Sequence, residues 1–384
     1  MTVDLSPLND QSITLDLGAF ADKKKAIHNL SGAAFIGERL YLANDEGRQL
    51  LWLTRESAQR FAQCEAIDIA DLFELQADEF DPRKEYDLEA LATDTHDGKT
   101  TRLWMIGSHA MGHEEPPGTN LKRVGLKRER NRLLFGCVDV DEHGKLVAGT
   151  GRHLRIRPVG ETWTTRFLSA LRATPPVAGG FLREATALTQ QAIPDAIAQR
   201  VGWFTPYTLA STKENGLDIE GLAIRRRNDD AKVVALVGLR GPVIAGFAVI
   251  VEIEIVDHDD RRLRPEGEPR FHLVNLDGFG VRDLEWRGDD LLIIAGPTMT
   301  RQDESELFCW RNAWGVLDAH GSVTNVFEVE TIDHLGRLPM NDDGGPEALA
   351  TVTSGGNDYL LLRDGIKGER LSGTTYCAEV YRIP

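Results

Sequence analysis

Residues 216–227, "GLDIEGLAIRRR", place a lone carboxylate, Glu220, inside an apolar run that reads as a buried β-strand. An ionised group is costly to bury without a partner, water or a ligand, so this position calls for a physical reason. The pattern recurs along the chain. Residues 86–94, "YDLEALATD", hold Glu89, and residues 344–352, "GGPEALATV", hold Glu347, each followed by small and apolar residues in the same order. Aligning these with "NLSGAAF" at 29–35 and "RDLEW" at 282–286 puts Ser31, Glu89, Glu220, Glu285 and Glu347 in one column. Asp283 is the alternative to Glu285 in the fourth unit, on the same side of its strand because strand side chains alternate.

The column recurs after 58, 131, 65 and 62 residues, so one interval spans two units. Such a repeat is longer than the roughly 40 to 50 residues usual for propeller blades, and suits four-stranded blades with generous loops. A second apolar strand follows each start: "RLYLAND", "RLWMIGS", "KVVALVGLRG", "LLIIAGP" and "YLLLRDG". Third strands follow in "LLWLTR", "RLLFGCVDV", "FAVIVEIEI", "LFCWRNA" and "YCAEVYRI", with turn sequences such as "RGDD" and "SGGND" between strands. The last unit ends on a strand, while the N-terminal "SITLDLGAF" is a strand with no local partner. Pairing the two closes the ring and hides both edges.

The double-length interval reads differently. Within residues 166–200, Phe181, Ala185, Leu188 and Ala192 recur at helical spacing, and Pro194 interrupts them. The expectation is therefore an all-β chain: one β-propeller domain over 1–384 with five recognisable blades and a mainly helical insertion at 160–215. A sixth blade hidden in that interval is the alternative.

The 384 residues contain 41% hydrophobic side chains, enough for a substantial core, and carry a formal net charge of -16. That balance disfavours nucleic acid and anionic membrane as partners, because phosphate binding needs concentrated positive charge. The N-terminal residues lack the basic start and apolar core of a signal peptide, and no stretch approaches a membrane span. A soluble, cytoplasmic protein is expected. Cys64, Cys137, Cys309 and Cys377 are widely separated with no CxxC spacing, so they read as buried thiols.

The ordered set "SGAAF", "NDEG", "DLEALA", "GSHA", "RERNRLL", "LDIEGLA", "GLRGPV", "GVRDL", "AGP" and "PEALA" resembles the bacterial family known as domain of unknown function 3616, over most of the chain. The resemblance implies a β-propeller similar in style to esterase-like phytase propellers, which share "EGLA"-type strand starts. It implies no established activity.

In a propeller the first strand of each blade lines the central channel, so the column becomes a ring. Second strands, or the turns just after them, add Asp45, His109, Arg240 and Asp364. Converging carboxylates repel one another and are tolerated when a hard cation takes their oxygens. One reading therefore assigns Glu89, Glu220, Glu347 and Asp45 to Ca²⁺ or Mg²⁺. In it Arg240, Arg282, Arg132 and Asp364 hold an anionic small ligand, His109 moves a proton, and the activity is metal-dependent phosphoester hydrolysis. The other reading is a wet channel in which Glu220 pairs with Arg240 and Arg282 and the ring only fixes blade geometry.

Lys122, Arg123, Lys127, Arg128, Arg130 and Arg132 form a basic cluster that suits either an anion grip or pairing with acidic neighbours. His109 and His113 have metal-ligand spacing for a helix, which "GHEEPPG" does not favour. "DVDEHG" starts like a calcium loop, but Thr150 stands where the bidentate Glu belongs. No GxSxG elbow or phosphate loop occurs in the chain. A noncatalytic scaffold that presents its loops to a protein partner is the alternative function.

Overall fold

The computed structural model describes residues 4–20, 26–77, 79–96, 99–114, 125–154, 217–227, 232–244, 246–259, 261–298, 305–319, 327–339, 344–352, 356–365 and 370–383. The chain is all-β. Among the described residues its α-helices are the short Ile69–Leu72 and Ala313–Ala319. The expected helical insertion at 160–215 lies outside the described residues, as do Lys122 and Arg123 and the side chains of His113, Lys127 and Arg128.

Five four-stranded antiparallel meanders account for most of the described strands. The first is Leu30–Ile36, Arg39–Asn44, Gln49–Ser57 and Arg60–Asp68. The second is Leu88–His96, Lys99–Gly107, Phe135–Asp139 and Arg152–Leu154. The third is Asp218–Arg226, Val233–Ile244, Phe247–Asp259 and Arg262–Asn275. The fourth is Gly280–Arg287, Asp290–Gly296, Ser305–Trp310 and Ile332–Leu338. The fifth is Gly345–Thr351, Asp358–Asp364, Thr375–Arg382 and the N-terminal Pro7–Asp16. That last strand runs antiparallel to Thr375–Arg382, with Ser12 opposite Glu379 and Thr14 opposite Cys377. The two terminal strands thus cover one another's edges.

The first strands of the five meanders neighbour one another in a closed cycle, the fifth returning to the first. One apolar cluster fills each junction. Leu91, Leu103 and Met105 pack with Tyr41 and Leu50 between the first two meanders, and Ile224, Val237 and Phe271 pack with Trp104 and Phe135 between the next two. Corresponding clusters fill the remaining three junctions. Because both faces of an inner strand are covered, its sequence reads as a nearly unbroken apolar run: Asp290–Gly296 is buried at every position after the first. Each fully buried Leu, Ile or Val contributes about 1.5–3 kcal/mol.

Small residues let the inner strands approach. A Cβ on Gly32 would lie 2.9 Å from the Leu91 backbone nitrogen, and one on Gly221 would lie 2.9 Å from side-chain atoms of Val281 and Leu284. Outer strands add parallel pairings between neighbouring meanders. Thr14 and Leu15 pair with Arg60 and Phe61, and His153 and Leu154 pair with Arg262 and Leu263. A short strand, Phe327–Glu330, pairs in parallel with Phe271–Val274 of the third meander.

Candidate functional site

Each first strand slips against its second strand at the same place. The register shifts fall between Leu30 and Gly32, Leu88 and Ala90, Ile219 and Gly221, Val281 and Asp283, and Pro346 and Ala348. The residues skipped are Ser31, Glu89, Glu220, Arg282 and Glu347. A bulge interrupts the alternation of side chains and re-aims the extra residue. All five line one cavity of about 120 Å³, together with Asn29, Leu30, Asp45, Arg240 and Asp364.

This register corrects the fourth member of the column. Arg282 occupies it, rather than Glu285 or Asp283. The signal that marks it is a leucine two residues after the bulge, at Leu91, Leu222, Leu284 and Leu349. Aligning on the acids instead of the leucines moves the fourth unit out of step.

The cavity holds a chain of ion pairs running across three meanders. Arg240 donates from Nη1 to Glu220 Oε1 and lies 4.0 Å from Asp218 Oδ2. Arg282 Nη1 lies 3.3 Å from Glu220 Oε2 and donates to Glu347 Oε1 at 2.6 Å. Glu220 and Arg240 are each 5% exposed, so these pairs are largely withdrawn from water. The pairing of Glu220 with both Arg240 and Arg282 is the arrangement expected of the wet channel. Burial pushes the Glu347 carboxyl up to about 7; Arg282 opposes the rise, while Glu220 and Asp364 reinforce it.

Glu89 is placed differently. Burial raises its pKa well above the ordinary carboxylate range, and the charges of Asp87, Glu220, Asp45 and Asp218 raise it further. Among the described residues no arginine or lysine forms an ion pair with it. Asp87 and Asp218 each lie just outside the recurring column, so the repeat does not mark them. Among the described residues, no three His, Cys, Asp or Glu side chains are grouped so as to hold a metal ion.

The remaining residues named from the sequence take other places. The Ser31 hydroxyl donates to the Leu88 carbonyl at 2.5 Å, bracing the first two inner strands. His109 is buried with φ of 55°, and its Nδ1 lies 2.8 Å from the Gly107 carbonyl, which makes Nδ1 the donor. It is not among the cavity-lining residues. Arg132 also lies off the lining, with Nη1 3.0 Å from Asp87 Oδ2 and Nη2 3.3 Å from Glu85 Oε1. Ser108 donates to the same Asp87 carboxylate that Arg132 engages. Asp283 is buried and accepts the Leu349 backbone N–H at 2.7 Å, joining the fourth and fifth inner strands.

A second cavity, of about 1430 Å³, is lined by the far ends of the same five strands. Three residues beyond the bulge these strands present Ala34, Ala92, Ala223, Glu285 and Ala350 to it. Glu285 is the charged exception. It accepts from Thr351 Oγ1 at 2.5 Å and from the Thr351 backbone at 3.2 Å, while burial pushes its carboxyl up to about 7.

The solved structures to which this chain is similar are distant. A glutaminyl cyclase from Myxococcus xanthus is 10% identical with a TM-score of 0.38, covering 99% of this chain and 98% of that one. An aldose sugar dehydrogenase from Streptomyces coelicolor, solved with PQQ bound, is 9% identical with a TM-score of 0.33, covering 98% and 99%. A periplasmic gluconolactonase from Pseudomonas aeruginosa is 12% identical with a TM-score of 0.34, covering 92% and 88%. No curated protein matches the sequence. None of the described helices is long and apolar enough to cross a membrane. The family model described as "Protein of unknown function (DUF3616)" matches residues 29–378, and the chain belongs to that family.

Proposed function

We propose that this chain is a five-bladed β-propeller whose channel-end cavity binds the ammonium group of a small ligand. The closed cycle of first strands, with one apolar cluster in each junction, supports the blade count. The observation that carries the ligand class is the charge of the cavity. Its lining holds Asp45, Glu89, Glu220, Glu347 and Asp364 against Arg240 and Arg282. Both arginines already engage Glu220, and Arg282 engages Glu347 as well. Among the described residues Glu89 has no such cation, and an ammonium beside it supplies the missing charge while allowing the carboxyl to ionise.

A phosphoester is a poorer occupant, because it would bring negative charge to a lining with a surplus of carboxyls. Ca²⁺ or Mg²⁺ needs several oxygens converging on one point, and the described acids do not form such a group. Binding to the native state raises its stability, by about 2.7 kcal/mol at a hundredfold excess over Kd. Thermal unfolding in methylammonium, Ca²⁺, Mg²⁺ and inorganic phosphate separates the occupants. Methylammonium is expected to raise Tm in the wild type and not in Glu89→Gln. A shift with phosphate alone would restore the anion reading, and one with Ca²⁺ or Mg²⁺ alone the metal reading.

A further inference from the structure

The third meander and the segment Phe327–Glu330 meet at an ionic knot centred on a buried histidine. His272, 1% exposed, lies on the outer strand of the third meander opposite Glu328 of the parallel partner strand. Its Nδ1 is 2.9 Å from Glu330 Oε1 and its Nε2 is 3.1 Å from Glu252 Oε2. Both ring nitrogens therefore face carboxylate oxygens. A neutral imidazole carries one N–H and satisfies only one of them, whereas the imidazolium donates to both. Two arginines complete the knot: Arg270 donates to Glu252 Oε1 at 2.6 Å, and Arg227 donates to the same atom at 3.4 Å. Arg227 also reaches Glu254 at 3.6 Å and the Leu317 carbonyl at 3.0 Å. From the fourth meander the Trp310 ring packs against the imidazole at a centroid distance of 5.0 Å.

We infer that His272 is a protonated clamp that fastens Phe327–Glu330 to the third meander, and that its deprotonation releases that strand. Glu252 keeps Arg270 and Arg227 when the proton leaves, so it stays paired. Glu330 has His272 as its ion-pair partner among the described residues, so the loss falls on the strand that carries it. Burial acts to lower the histidine's pKa, but the hydrogen bonds and charges of Glu252 and Glu330 outweigh it, and the net direction is upward. A cation with a raised folded pKa contributes fully below the unfolded value near 6.5, and its contribution is lost as pH rises through the folded value. The strand is held while His272 keeps its proton and is loosened once pH rises past the raised folded pKa.

The test is carried out on the full chain. NMR titration of the His272 ring is read beside hydrogen-exchange protection factors for 327–330, each corrected for intrinsic exchange. The expected result is a His272 pKa above the ordinary value, with protection of 327–330 falling at least tenfold across that titration while the inner strands stay protected. His272→Gln should leave the segment weakly protected at every pH. Should that variant fail to fold, Glu330→Gln keeps Glu252 and its arginines and is expected to lower the His272 pKa and weaken protection of 327–330. Titration of His272 below the ordinary value, or protection of 327–330 that does not change through its titration, overturns the clamp.

Discussion

Arg282 Nη1 lies 2.6 Å from Glu347 Oε1, joining the bulged residues of the fourth and fifth inner strands, and the same guanidinium nitrogen lies 3.3 Å from Glu220 Oε2 on the third. One side chain thus ties three of the five strands that ring the cavity. Its position in the bulge column makes that geometry possible, since a residue on the alternating faces of the strand would point into a junction instead.

Removing Arg282 should leave the buried Glu220 and the half-buried Glu347 short of their shared cation. Arg282→Met is expected to destabilise the fold by about 3–5 kcal/mol, measured by urea unfolding. Adding Glu347→Gln should recover part of that loss, because the stranded charge disappears with it. Equal stability of the single and double variants would contradict the shared role.

Glu285 predicts a pH dependence. Its folded pKa is raised to about 7, so the unfolded chain ionises first. Stability contributed by the neutral form is present below the unfolded value near 4.3 and is lost as pH rises toward 7. Glu285→Gln does not titrate, so its stability relative to the wild type should improve by on the order of 1–3 kcal/mol between pH 4 and pH 8. Parallel stability curves across that range would contradict the raised pKa of Glu285.

The N-terminal strand predicts a truncation phenotype. Pro7–Asp16 covers the edge of Thr375–Arg382 and contributes the buried Ile13 and Leu15. Deleting residues 1–16 should expose that edge and remove about 1.5–3 kcal/mol for each of these side chains. Loss of cooperative unfolding or aggregation is the expected outcome, checked by circular dichroism melts; a melt like that of the full chain would contradict closure through this strand.

Much of this arrangement was legible in the sequence because it is local and repeated. The runs at 102–108, 232–241 and 291–297 are apolar on both faces and mark inner strands, and Gly32, Ala90, Gly221 and Ala348, each next after a bulge, mark close approach. Glu89, Glu220, Glu347, Asp45, Arg240, Arg282 and Asp364 all stand out in the sequence as candidate site residues, and all seven line the cavity. The bulge itself was not legible, since a one-residue slip depends on hydrogen bonding between strands rather than on composition. Hence Glu285, the most conspicuous acid of the fourth unit, was placed in the ring although it lines the opposite cavity. The parallel pairings between outer strands, and the His272 knot beside one of them, bring together residues 58 positions apart with no periodic pattern to announce them. His109 looked available for chemistry as a loop histidine after a strand, yet its Nδ1 is held to the Gly107 carbonyl and the ring is buried.

The cavity beside Glu89 is expected to prefer positive charge. Crystals soaked in parallel in rubidium and iodide salts test it without knowledge of the natural ligand, since Rb⁺ approximates an ammonium ion and both ions are located by anomalous scattering. A rubidium peak is expected in the cavity beside Glu89, absent in Glu89→Gln, with no iodide there. An iodide peak against Arg240 and Arg282, or a cavity that takes up neither ion, would contradict it.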